Sequence, residues 1–153
     1  MQFGRLDFHT TDFENKNTAS GIFKTMFTVM RHNGALDWNT PQVLSMNNVA
    51  NRNQIEFHHI FPQDFLKGKY ERDQINDIAN QTFIVKRTNV LIKNDDPAVY
   101  LPEVLVKKGE ENFKKHCIPT DQSLWNISKY PEFIAKRRQL LTDMVNDYLK
   151  ELD

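Results

Sequence analysis

The stretch QIEFHHIFP, residues 54–62, decides the fold, because it joins a strand signal to a pair of histidines and a proline. Gln54 to His59 reads as a short β-strand, and Pro62, which has no N–H to give a ladder, ends it. A second run, Thr82-Phe83-Ile84-Val85, is β-branched and aromatic and reads as the partner strand. Between the strands, residues 63–68 read as a helical turn with Phe65 and Leu66 pointing inward. Lys67 to Arg72 follows as a charged loop, and Asp73 to Ala79 as a short helix or turn. After the second strand, Thr88 is placed to cap a helix from Asn89 to about Lys93, and Asp96-Pro97 opens another helical segment through Leu101.

Outward from this hairpin the chain is helical. Ile22, Phe23, Met26, Phe27 and Met30 recur at helical spacing and predict a helix from about Ser20 to Asn33. Thr18 or Ser20 serves as its N-terminal cap, and Gly34 stands where a C-terminal cap belongs. Residues 35–54 read as a loop with a short helix near Pro41–Met46 and an Asn-rich, turn-like segment at 47–53. Pro131 is well placed as a first helical residue, and Phe133, Ile134, Arg137, Leu140, Leu141, Met144, Val145, Tyr148, Leu149 and Leu152 mark one face of the helix that follows. Arg137 and Arg138 read as structural or solvated positions. Residues 1–17 are polar and form a lead-in; 18–153 form one domain, with a core at 54–101 and a helical part at 102–153. The fold class is α+β, with a small β component inside a mostly helical chain.

The bulk numbers bound the function. The 153 residues, 39% apolar and 26% charged, suit one soluble globular domain. Nothing approaches the length of apolar chain that crosses a bilayer, and no secretory leader is evident. Cys117 is the single cysteine, so an internal disulfide and a Cys-x-x-Cys zinc knuckle are both excluded; a reducing cytoplasm is the simplest setting. The net charge of zero argues mildly against a strong general affinity for nucleic acid. Lys86, Arg87 and Lys93 nevertheless form a local basic cluster that phosphates would favour.

The histidine pair carries the chemistry. Hydrolysing a phosphodiester requires a base for the attacking water, a Lewis acid for the leaving oxygen, and something to hold the non-bridging oxygens. Histidine supplies a base near neutral pH, and a divalent metal with open positions supplies the Lewis acid. Neighbours on a regular strand point to opposite faces, so two adjacent imidazoles serve one phosphate only where the strand ends between them. Asn89, at the start of a predicted helix, offers a hard amide oxygen that suits Mg²⁺.

Taken together, His58-His59-Ile60-Phe61-Pro62, Asn80, Asn89 and Pro97 resemble the ββα-metal core of HNH (His-Me finger) endonucleases, in particular the HNH domain of CRISPR RNA-guided nucleases. The asparagines stand nine apart (89 − 80 = 9), and the proline lies eight beyond the second (97 − 89 = 8), as they do in that domain. The resemblance implies that His59 is the general base, that His58 and Asn89 hold one divalent metal ion, Mg²⁺ or Mn²⁺, and that Asn80 organises the loop that orients His59. His58 replaces the carboxylate of the CRISPR enzymes. Imidazole is a softer ligand, so Mg²⁺ is less favoured, and Zn²⁺ or Ni²⁺ from a crystallisation buffer would also fit.

A wider likeness runs from Ile22 onward. Ile78 to Thr82, Lys86 to Asn89, Pro97 to Leu101, His116 to Pro119, Trp125 and Phe133 to Arg138 are similar to the C-terminal nuclease domain of GmrSD-like proteins. In that family the HNH domain follows a ParB-like, nucleotide-hydrolysing domain, and members act in modification-dependent restriction and phage defence. The resemblance therefore implies a DNA substrate, a ParB-like partner domain or subunit outside this chain, and a chain that is either a piece of a larger protein or a stand-alone nuclease half. Cutting both strands from single sites would take a homodimer or two successive nicks. The competing reading is a catalytically silent nucleic-acid-binding or structural-metal module on the same fold. His116 reads as a packing or substrate-side residue rather than a ligand.

Overall fold

A computed structural model describes residues 7–44 and 54–153. The expected Asn-rich turn at 47–53, residues 1–6 of the lead-in, and the end of the helix expected near Pro41–Met46 lie outside the described residues. The chain is α+β: a small two-stranded antiparallel sheet among helices. Strand β1, Ile55–His59, pairs with β2, Gln81–Val85, in a register that sets Phe57 opposite Phe83 and His59 opposite Gln81. All five residues of β2 are buried, which suits its unbroken apolar and β-branched run.

Helix α1, Gly21–His32, covers one face of the sheet. Ser20 caps it, accepting from the Phe23 N–H, and Gly34 beyond its end has a φ of +77°, a conformation that glycine takes without a Cβ penalty. Its buried stripe is Phe23, Met26, Val29 and Met30, and the Phe23 and Phe27 rings each stand 4.9 Å from the Phe83 ring. Fully burying one such side chain is worth about 1.5–3 kcal/mol.

The connection between the strands holds α2, Gln63–Leu66, α3, Arg72–Ile75, and a 3₁₀ turn, Ile78–Asn80. Leu66 faces inward as expected, but Phe65 is 37% exposed. One four-residue turn of helix has a single inner side, and Leu66 takes it.

Helix α4, Lys86–Ile92, follows β2 without a loop and starts three residues before the expected Asn89. Thr88 is not its cap. Its hydroxyl donates to the buried Asp37 carboxylate at 2.5 Å, and Asp37 also accepts from the N–H groups of Val85, Asn39 and Thr40. A carboxylate from an upstream loop thus claims the hydroxyl that was expected to cap the helix, and the helix starts earlier, with no side-chain cap. That loop forms a bridge between Leu36 and Val43, with no helix over 41–44.

Helix α5, Pro97–Lys108, is capped by Asp96 and runs past the expected end at Leu101, straight through Pro102. Helix α6, Glu110–Lys115, leads through two 3₁₀ turns to α7, Tyr130–Glu151, with Pro131 in its first turn as expected. Leu152, expected on the buried face of α7, lies beyond the helix end and is 64% exposed.

The polar lead-in is a correction too. Phe13, in a 3₁₀ turn at Thr10–Phe13, has no exposed surface, and the Phe8 backbone makes a reciprocal pair of hydrogen bonds with the Asn146 side chain on α7. One phenylalanine in a polar context carries no period, yet it closes the core.

Arg137 lies inside the molecule rather than on its surface. Its guanidinium donates to the carbonyls of Ala79 (2.8 Å), Gln81 (2.6 Å) and His116 (3.0 Å). Burial pulls its pKa down to about 10, so it remains a cation at neutral pH. Arg138 pairs with Asp77 and Glu14. Among the described residues no helix is long and apolar enough to cross a membrane.

Candidate active site

The end of β1 opens onto a cavity of about 250 Å³ whose walls include Phe57, His58, His59, Gln63, Asn89 and Lys93. His58 is buried on the α4 side of the strand. Its Nδ1 stands 2.8 Å from Asn89 Oδ1, and its Nε2 lies 3.1 Å from the Tyr100 hydroxyl. Tyr100 spends its one hydroxyl proton on the Ile60 carbonyl, 2.6 Å away, so towards His58 it accepts. Asn89 Oδ1 is an acceptor as well, so a neutral His58, with one ring proton, satisfies only one of these two contacts. The Asn89 nitrogen donates to Glu56 Oε2 at 2.8 Å, which turns its oxygen towards His58 Nδ1.

One of the two contacts of a neutral His58 thus lacks a hydrogen. A proton or a metal cation resolves such a contact. Burial, reinforced by the charge of neighbouring His59 and offset in part by Asn89, holds the His58 pKa down to about 4, so near neutral pH the proton is not available. Adjacent ligands of an octahedral ion at roughly 2 Å stand about 3 Å apart, and an imidazole with an amide oxygen suits a borderline-hard divalent ion. The donor pair fits a metal. Among the described residues no three His, Cys, Asp or Glu side chains come together as a metal cage.

His59 is held from the other direction. Its Nε2 lies 3.0 Å from Asn76 Oδ1, which also accepts from Gln63 Nε2 at 3.1 Å. The Asn76 oxygen can only accept, so towards it His59 donates from Nε2, while the Gln63 amide nitrogen, 3.3 Å from that same Nε2, competes for the place; Nδ1 has no partner among the described residues. Burial lowers the His59 pKa below the usual 6.5, against a smaller opposing effect of Asn76. The ring is unprotonated and able to take a proton at neutral pH. Asn76 is itself anchored, because Gln81 Nε2 donates to its carbonyl at 3.0 Å.

Asn80 does not touch either imidazole. Its amide accepts from the Phe61 N–H at 2.8 Å and donates to the carbonyls of Phe61 and Ile75, both at 3.0 Å. It shapes the backbone on leaving His59 and is a positioning residue. Of the basic trio, Lys93 lines the cavity, with a φ of +50° that non-glycine residues rarely adopt. Lys86 and Arg87 are exposed in the first turn of α4 and do not line it. The structure therefore brings together His58, His59, Asn89 and Lys93, with Asn80 behind them. Glu56, Asn76 and Tyr100 were not singled out in the sequence. His116 is a packing residue: it accepts from Thr82 at 2.7 Å and donates to the Leu36 carbonyl at 2.8 Å.

Two buried neutral imidazoles make stability depend on pH. His58 and His116 each have a folded pKa of about 4, pushed down first by burial. The unfolded chain takes up a proton at each near pH 6.5 while the folded chain does not, so this stability is present above 6.5 and is lost as pH falls towards 4. The loss is on the order of 3 kcal/mol per imidazole at the acid end. Urea unfolding at pH 7, 5.5 and 4.5, with a chelator present, should show the midpoint falling across that window. A flat midpoint would contradict the burial of both rings.

The chain is 31% identical over 156 aligned residues to an uncharacterized protein of the archaeon Methanocaldococcus jannaschii, an alignment covering 85% of this chain and 26% of that one. The chain thus spans about a quarter of the length of that relative. No family model and no solved structure matches it.

Proposed function

We propose that this chain is a metal-dependent endonuclease of the HNH type that hydrolyses phosphodiester bonds in DNA in the cytoplasm, acting in restriction or phage defence together with a ParB-like nucleotide-hydrolysing partner. One observation carries the reading: His58 and Asn89, with Nδ1 and Oδ1 2.8 Å apart, line one cavity with His59, whose Nδ1 has no partner among the described residues. The order β1, β2, α4 supports the reading, since it supplies His58 and His59 from the end of one strand and Asn89 from the helix that follows the other.

In this reading His59 takes a proton at Nδ1 from the attacking water, while Asn76 holds the far nitrogen and fixes the ring. His58 and Asn89 would hold the divalent ion. When bound, that ion supplies the Lewis acid that offsets charge on a non-bridging oxygen and on the leaving oxygen. Lys93 adds positive charge to the cavity wall beside the phosphate. Because both ligands are neutral, the phosphate itself contributes negative charge to the site, and binding of the ion and of the substrate reinforce each other.

Incubating supercoiled plasmid with the protein and Mn²⁺ or Mg²⁺ is expected to yield nicked circles, and EDTA is expected to prevent it. Absence of metal-dependent cleavage on plain and on base-modified DNA, including by a protein that carries the partner domain, would overturn the reading. DNA binding without cleavage under those conditions would favour a silent binding module instead.

A further inference from the structure

The geometry points to Glu56 as the positioning residue that makes Asn89 a metal ligand, by holding its amide nitrogen away from His58. The inference rests on His58 and Asn89 being the metal pair. An asparagine side chain has nearly the same shape with its oxygen and nitrogen exchanged. Turned the other way, Asn89 would present N–H to the lone pair on His58 Nδ1, make an ordinary hydrogen bond and close the site to a cation. With the ring proton on Nε2 the amide gains by that turn, because two facing acceptors repel.

What opposes the turn is the carboxylate at the far end. Glu56 Oε2 accepts from Asn89 Nδ2 at 2.8 Å. An ionised carboxylate only accepts, so the exchanged amide would set oxygen against oxygen there. Glu56 stands two residues before His58 on β1, and the two share a face of the strand. Among the described residues no lysine or arginine pairs with it, which leaves its charge for the amide and, through it, for the cation. Tyr100 does the matching task for the other ligand, since its hydroxyl oxygen accepts towards Nε2 and favours the tautomer that leaves Nδ1 for the cation. The site is therefore pre-set from both outer ends.

A double-mutant cycle read by Mn²⁺ binding tests this, with free Mn²⁺ followed by electron paramagnetic resonance on the whole chain. Glu56→Gln preserves shape but offers both a donor and an acceptor. It is expected to weaken Mn²⁺ binding about tenfold or more, the scale on which outer-shell partners act. Asn89→Asp replaces the amide by a carboxylate whose two oxygens are equivalent, so orientation no longer matters. In that background Glu56→Gln is expected to cost nothing, and to strengthen binding by removing a like charge.

An equal loss in both backgrounds would overturn the positioning role and leave simple charge attraction. Glu56→Gln binding within twofold of wild type, while His58→Ala loses the metal, would also overturn it. Wild-type protein that binds no Mn²⁺, or His58→Ala that binds as wild type does, would overturn the metal pair and this inference with it. The Asn89 side-chain NH₂ resonance gives a second measure: it should move in Glu56→Gln with the fold intact, and an unmoved resonance would count against the contact.

Discussion

His59→Ala is expected to lower metal-dependent nicking by roughly a hundredfold to ten-thousandfold, the usual contribution of a positioned acid or base, and to leave Mn²⁺ binding unchanged. His58→Ala should do the reverse at the binding level and lose the ion. The two neighbours have different surroundings. His58 is closed in by Tyr100 and Asn89, with both nitrogens engaged, whereas His59 has one nitrogen engaged by Asn76 and one unpaired. A base needs the unpaired nitrogen. Its protonation also sets the pH profile. Burial keeps the His59 pKa below 6.5, so kcat/KM should be level above that pH and fall in acid. Asn76→Ala removes the effect that opposes burial, so the acid limb should move further down in pH while the rate drops through loss of ring orientation. A His59→Ala protein that nicks like wild type would move the base elsewhere.

The second large effect belongs to Arg137. Arg137→Leu should cost about 3–5 kcal/mol, because it strands several buried carbonyls at once. For a chain of this size that lowers Tm by about 10 °C or more. The guanidinium ties α7 to the Ile78–Asn80 turn and to the end of α6. The same turn carries Asn80, which fixes the backbone leaving His59. Nicking by Arg137→Leu, measured at a temperature where it is still folded, should therefore fall as well. Arg137→Lys should recover only part of the stability, since one ammonium on a flexible stem cannot span the carbonyls that the planar fork reaches. A denaturant midpoint close to wild type for Arg137→Leu would contradict the network.

How much of this was legible in the sequence depended on range. The hairpin strands were readable because β-branched and aromatic runs declare themselves locally, and β1 and β2 fall within one residue of the expected bounds. Helix α1 and its Ser20 cap were readable for the same reason. The start of α4 was not. Thr88 looks like a cap until Asp37, 51 residues away, claims its hydroxyl. Phe13 was missed because one buried ring in a polar segment leaves no period. At the site, His58, His59 and Asn89 stand out by residue type and spacing. Glu56, Asn76 and Tyr100 do not, because each acts by where its side chain ends after the chain has turned, and Glu, Asn and Tyr are common at neutral positions. Arg137 sat on an apolar stripe, and that mismatch of charge and pattern was the one available sign that it lies inside.

The anchoring of the strands and α4 bears on how this module can be transplanted. Residues 54–101 contain the histidines, both asparagines and Lys93, and would look like a portable cassette for fusion to another targeting protein. Five of its buried polar groups are answered from outside that span. Val85 and Thr88 rely on Asp37, Thr82 on His116, and the carbonyls of Ala79 and Gln81 on Arg137. A graft cut at those limits would carry the reactive groups without the scaffold that orients them. With α1 and Phe13 also closing the core, the smallest transferable unit reaches from Phe13 through the Asp37 loop to α7, so a designer gains little by trimming and should attach new domains at the ends instead.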